Sequence, residues 1–224
     1  MEMGGMWGGF YRISLWVMRL AYINILWGIF TVLGLVLFGY MPASIAMFTV
    51  IRKWIQSDTD IPIFKTFLNT FKKEFVKANL FSLVIIFIGL ILYVDLRYTG
   101  TVTESPFYPI LLGGLFLSGV LYVMLILYIG PVYVQYNLTF WQYIRYAIMI
   151  GITNLHYSIM MIVIIMGLYY LFMRIPGLFP FFAASTISLV IMWCANLSFM
   201  NLVRKQGKGK VTNKESYNTN TNPR

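Results

Sequence analysis

The sequence predicts an all-α, polytopic membrane helix bundle of about five transmembrane helices with an amphipathic cytoplasmic elbow, and three observations carry that reading. Of the 224 residues, 59% are hydrophobic and only 11% are charged, with a mean hydropathy of +0.75. Soluble domains carry about 25% charged residues, so most of this apolar surface needs lipid as its solvent. The charges are also clustered: Asp, Glu, Lys and Arg are absent from 20–51, 78–94, 105–144, 146–173 and 175–203. Finally, lysine and arginine gather at two places, the segment 52–77 and the tail from 204, as the positive-inside rule describes for cytoplasmic loops.

A crossing helix needs about 20 apolar residues, and five stretches fit: 16–38, 78–96, 109–130, 154–173 and 179–202. The start of the chain, "MEMGGMWGGFYRISLWVMRL", has an early acid and two arginines but no small-residue cleavage site. The first run is therefore expected to be retained rather than removed as a signal peptide. Next comes "GYMPASIAMFTVIRKWI", about ten apolar residues before Arg52. That length suits a re-entrant or interfacial element better than a crossing. Gly39 allows a sharp reversal, and Pro42 suits the first turn of a new helix. This reading ends the first crossing at Gly39 and lays a short helix along the cytoplasmic face. The competing reading is a sixth, short crossing to about Ser57, which would place Arg12 and Arg19 in the cytoplasm.

In the following stretch, Phe64, Phe67, Phe71 and Phe75 fall on one helix face, while Lys65, Lys72, Lys73 and Lys77 lie mostly on others. This pattern describes a helix in the headgroup plane with its rings in the acyl boundary. Asp60 is placed to cap that helix, with Pro62 in its first turn. Between the last two crossings, "RIPGLFP" predicts a tight turn.

Basic residues set the expected orientation. Arg52, Lys53, Lys65, Lys72, Lys73 and Lys77 in one segment, and six Lys or Arg from Arg204 to Arg224 in the tail, place both on the cytoplasmic side. Five crossings then leave the C-terminus cytoplasmic. Residues 1–203 form the single membrane domain, and the polar tail 204–224 is expected to lack fixed structure. Weak internal similarity relates 63–97 to 139–174: Phe64 matches Phe140, Asn79 matches Asn154, and Pro42 and Pro131 each follow a long apolar helix.

Polar residues inside the apolar runs are few. Asn24, Asn79, Asn154, Asn196 and Asn201 must find hydrogen-bond partners, so they face other helices as interhelical glue, or alternatively line a substrate path. His156 is the only histidine and Cys194 the only cysteine. No zinc site of the usual ligand sets can be built from them, and no other cofactor is expected. "GKGK" in the tail lacks the strand, spacing and hydroxyl of a phosphate loop. No pair of carboxylates lies in the apolar runs for proton coupling. The formal charge of +10 is accounted for by the membrane surface without nucleic acid.

At "NILWGIFTVLGLVLFGYMPASIAMF" followed by "IFKTFLNTFKKEFVKANL", the sequence resembles the YesL-like family of bacterial integral membrane proteins. The positions carrying the resemblance are Asn24, Leu26, Trp27, Gly34, Gly39, Pro42, Ala43, Phe64, Phe67, Phe71, Phe75 and Asn79, with Ser44 where threonine is usual. The resemblance implies a bacterial cytoplasmic-membrane protein associated with the import of plant-wall oligosaccharides, with no catalytic residue to carry over. The expectation is a non-enzymatic accessory protein that assists a carbohydrate ABC importer and touches its permease subunits. The alternative is an independent small-molecule carrier or channel lined by Asn24, Asn79 and Asn154. Structural or docking candidates are Asn24, Trp27, Gly39, Pro42, Ser44, Phe64, Phe67, Phe71, Lys72, Lys73, Phe75, Asn79, Pro131 and Asn154.

Overall fold

Seven α-helices and one short 3-10 turn make up the computed structural model, which describes the backbone of residues 6–220 and the side chains of residue 9 and residues 11–202. The helices are α1 (Met6–Leu33), α2 (Leu37–Ile55), α3 (Ile63–Thr99), α4 (Tyr108–Gln135), α5 (Phe140–Thr153), α6 (Leu155–Arg174) and α7 (Phe179–Asn220). Five segments are long and apolar enough to cross a membrane: Tyr11–Leu33, α3, α4, α6 and Pro176–Leu202. Each of the five expected crossings falls on such a helix, and this is a multi-pass membrane protein.

Several boundaries differ from expectation. The first helix stops at Leu33 rather than at Gly39, and the reversal occurs at Gly34–Val36. Leu35 and Val36 both have positive φ, 59° and 60°, and the Leu37 N–H donates to the Leu35 carbonyl at 2.6 Å. This is a γ-turn of the rare, strained kind, centred on a β-branched residue. Pro42 consequently lies inside α2, not in its first turn. Gly39 serves close approach instead of reversal. A Cβ on Gly39 would meet the Thr31 carbonyl, lie 2.8 Å from the Phe30 carbonyl and 2.9 Å from Gly34 Cα.

The α1–α2 pair is an antiparallel hairpin with contacts at three levels. Gly34 touches Gly39 at the turn. The Trp27 indole N–H donates to Ser44 Oγ at 3.0 Å. Trp16 and Trp54 meet edge to face at 5.8 Å at the far end. As a result α2, expected along one membrane face, has more buried residues than any other helix among the described residues, including Ala43, Ile45, Ala46, Val50 and Ile51.

The Phe/Lys stretch and the crossing after it, read separately in the sequence, form one 37-residue helix, α3. Its aromatic face turns to protein. Phe67 is fully buried, and Phe30 of α1 lies 6.5, 5.3 and 5.0 Å from Phe64, Phe67 and Phe71. Asp60 does not cap this helix, whose N-cap is Pro62; it pairs with Arg19 at 3.8 Å. The turn expected at "RIPGLFP" is present as a 3-10 turn over Pro176–Leu178.

In the second half, α5 folds back along α4. Tyr143 stacks on Tyr133 at 5.0 Å, and a Cβ on Gly151 would lie 3.0 Å from the Met124 side chain. A Thr139–Gln142 capping box starts α5. The helical backbone of α7 continues to Asn220, beyond the expected end of the bundle at 203. The side chains of the tail, and residues 221–224 altogether, lie outside the described residues.

Replacing Gly39 by alanine is expected to force the α1–α2 backbones apart and to lower stability by about 1–3 kcal/mol, the usual range for overpacking. Thermal unfolding in mild detergent checks this, with Gly28→Ala as control because nothing lies within 4 Å of that site. Equal midpoints for the two variants would show that the hairpin has slack.

Candidate functional site

A groove of about 750 Å³, open to a ligand or partner, is lined by α1, α2, α3, α4 and the start of α7. Its volume lies within the range typical of small-molecule sites. The hairpin turn supplies one lip through Val36, Leu37 and Tyr40, and the first turn of α7 supplies another through Phe179 and Pro180. The walls are aliphatic and aromatic, with Ile45, Phe48, Ile85, Ile129 and Ile191 among them, and no charged side chain lines them.

The few polar groups at the groove are largely occupied. Asn24 Nδ2 donates to the Pro180 carbonyl at 2.8 Å, and the Ser185 N–H donates to Asn24 Oδ1 at 2.9 Å. One buried amide thereby clamps α1 to the first turns of α7, 156 residues away. The Trp27 indole is satisfied by Ser44, whose hydroxyl donates in turn to the Tyr40 carbonyl at 2.7 Å. Ser82 and Ser188 also line the groove, and among the described residues their hydroxyls have no side-chain partner. The site can hold an apolar group and accept or donate at two hydroxyls. It cannot neutralise a charge or present the array of donors and acceptors that a sugar needs.

A second polar cluster ties α2, α3, α4 and α5 together near the end of α4. Arg52 Nε donates to Gln135 Oε1 at 2.7 Å, and the Tyr133 hydroxyl donates to Glu74. The Lys77 ammonium lies 5.0 and 4.9 Å from the Tyr133 and Tyr143 ring centres, within cation–π range. The Tyr143 hydroxyl donates to the Tyr136 carbonyl at 2.9 Å. Glu74, the one acid in the lysine-rich run 65–77, was the available signal for this cluster.

The residues singled out in the sequence separate into groups. Asn24, Trp27 and Ser44 meet at the groove. Gly39 and Pro42 are buried in the α1–α2 hairpin. Phe64, Phe67 and Phe71 pack on Phe30, and Phe75 continues the row with its ring 5.5 Å from Phe71. Lys72 and Lys73 are exposed. Pro131 is buried inside α4. Asn154 is fully buried at the break between α5 and α6, where its Oδ1 accepts from Asn201 Nδ2 at 2.9 Å. Asn79 instead donates to Phe75 of its own helix, leaving its buried Oδ1 without a partner. The three asparagines are therefore not gathered along one path. His156 is exposed and packs on Tyr157 with ring centres 4.0 Å apart. Among the described residues, no three of His, Cys, Asp and Glu gather where they could hold a metal ion.

Comparison with known proteins matches residues 20–96 to the family described as "Protein of unknown function, DUF624". YteU of Bacillus subtilis is 38% identical over 84% of this chain and 84% of its own length. YesV of the same organism is 37% identical over 82% and 88%, and YesL is 30% identical over 91% and 95%. All three are described as uncharacterized proteins. No solved structure matches significantly.

Replacing Asn24 with leucine removes both hydrogen bonds of the α1–α7 clamp. The expected loss is about 0.6–1.7 kcal/mol, the measured span for hydrogen bonds between membrane helices. Unfolding titrations in mixed micelles check it, and an unchanged midpoint would show that the clamp contributes nothing.

Proposed function

The chain belongs to the DUF624 family, together with B. subtilis YteU, YesV and YesL, and from that premise we propose that it is a non-enzymatic accessory protein of a carbohydrate importer in the cytoplasmic membrane. In this reading the C-terminus is cytoplasmic, as the basic residues of 52–77 and of the tail favour. The partner is a permease subunit, and it docks through apolar surface rather than by handing over a sugar.

One observation carries the choice: the asparagines in the membrane segments that would have to line a polar path face different neighbours. Asn24 is held by Pro180 and Ser185, Asn154 by Asn201, and Asn79 by Phe75. An independent sugar carrier needs such groups to converge on its substrate, with alternative arrangements as the substrate moves. The groove offers instead an apolar seat lined by all but two of the chain's helices. Such a seat suits another apolar helix better than a hydrated oligosaccharide. The carbohydrate context rests on the family resemblance read in the sequence.

Purification in mild detergent from cells actively importing an oligosaccharide tests the proposal. Importer permease subunits are expected to co-purify in fixed ratio, and to be lost when Ser188→Trp fills the groove. Recovery of the chain alone would count against an accessory role. Oligosaccharide flux through liposomes containing only this protein would favour the carrier.

A further inference from the structure

The turn between α1 and α2 is built unlike a turn made for water. From Val32 to Gly39 the sequence reads "VLGLVLFG", with no polar side chain. Five of these residues, Leu33, Leu35, Val36, Leu37 and Phe38, are 69%, 78%, 60%, 56% and 46% exposed. Aqueous turns with positive φ use glycine, asparagine or aspartate, which adopt it with little strain. Here a leucine and a valine hold φ of 59° and 60°, so the turn retains large apolar side chains in spite of its backbone.

The backbone of the turn also has little need of water. Of the seven N–H groups from Gly34 to Tyr40, five donate to carbonyls within the hairpin: Gly34 to Phe30, Leu35 to Val32, Val36 to Thr31, Leu37 to Leu35 and Tyr40 to Val36. Internal pairing of this kind is what lets a non-helical backbone enter hydrocarbon. Close by, Phe30 packs on the start of α3, where the Lys65 and Lys72 side chains are exposed. Such side chains can keep their ammonium groups among headgroups while neighbouring apolar surface lies deeper.

We propose that the 33–38 turn is a lipid-contacting wedge, its five apolar side chains inserted among acyl chains below the headgroups and the lysines of early α3 anchoring it from the interface. The Leu35 and Val36 side chains are the contact surface, and the γ-turn is the device that presents them together. Lipid accounts at once for the exposure, the strain and the missing polar residues.

A nitroxide spin label on Leu35→Cys, in a Cys194→Ala background and reconstituted in phospholipid vesicles, reads the position directly. Relaxation by oxygen and by a water-soluble nickel chelate is compared with the same label on Ser57→Cys, in the α2–α3 loop, and on Ile91→Cys, exposed on α3. The expected result is oxygen contact, exclusion of nickel, and a depth of about 5–10 Å, as for inserted apolar surfaces. Nickel contact matching that at residue 57 would overturn the proposal. Exclusion of both reagents would overturn it as well, since the turn would then be covered by protein. Should the Leu35 variant fail to fold, the same measurement on Leu37→Cys decides.

Discussion

The architecture depends on one close approach, the contact of the Gly34 and Gly39 backbones beside the turn that joins α1 to α2. No larger residue fits either position without displacing backbone atoms. Because the chains meet there, Ser44 comes beneath the Trp27 indole and Trp54 comes against Trp16. The hairpin then presents Phe30 to the aromatic face of α3 and Asn24 to the start of α7. Hydrophobic collapse does not drive helices together in lipid. Small residues, fitted aromatic contacts and a few hydrogen bonds therefore carry the specificity that a core supplies in water.

Most of the helices were legible in the sequence, since charge-free runs of about 20 residues have few other uses. The hairpin turn was not, because the local signals pointed elsewhere. Gly39 and Pro42 look like punctuation, yet both lie inside α2. The real reversal uses Leu35 and Val36, residues that turn statistics disfavour. The continuity of α3 was hidden for a related reason. Its first half carries lysines on the outer faces, which reads as a separate surface helix. The phenylalanines opposite them pack on Phe30 of another helix, and that partner cannot be seen from α3's own pattern. The groove was legible in part. Asn24 stood out as a polar group in an apolar run, and Trp27 and Ser44 through the family resemblance, whereas Ser82 and Ser188 are single hydroxyls whose meeting depends on tertiary folding.

Asn79 and Asn154 show how context decides the outcome for one residue type. They occupy matching places in the two similar halves, yet α3 runs straight through Asn79 and the chain breaks at Asn154, where φ is −119° and ψ is 49°. Asn154 has Asn201 of α7 opposite it and is held away from helical geometry by that contact and its neighbours. Asn79 has no such partner for its Oδ1 and returns its amide to the preceding turn. Similar sequence halves thus give one long helix in the first case and two shorter ones in the second. Both halves fold one helix back along another, but only the α1–α2 turn sets a leucine and a valine at positive φ, which makes the two halves unequal in what they can present to a neighbour.

That asymmetry bears on function. The groove has the α1–α2 turn as one lip, and the turn is held in a conformation that costs about 1–3 kcal/mol for each unfavourable residue. A glycine at either position would remove much of that strain, so the folded state gains nothing locally from leucine and valine. Their side chains contribute only if something apolar covers them. The same holds for the groove behind them, whose wall is nearly free of polar groups. Lip and groove together form one apolar surface with its polar atoms mostly turned to other uses. In such a surface the turn suits lipid chains, and the groove behind it suits the flank of another membrane helix. The surface is a poor fit for a hydrated sugar, and that chemistry favours an accessory role over passage of substrate through the protein itself.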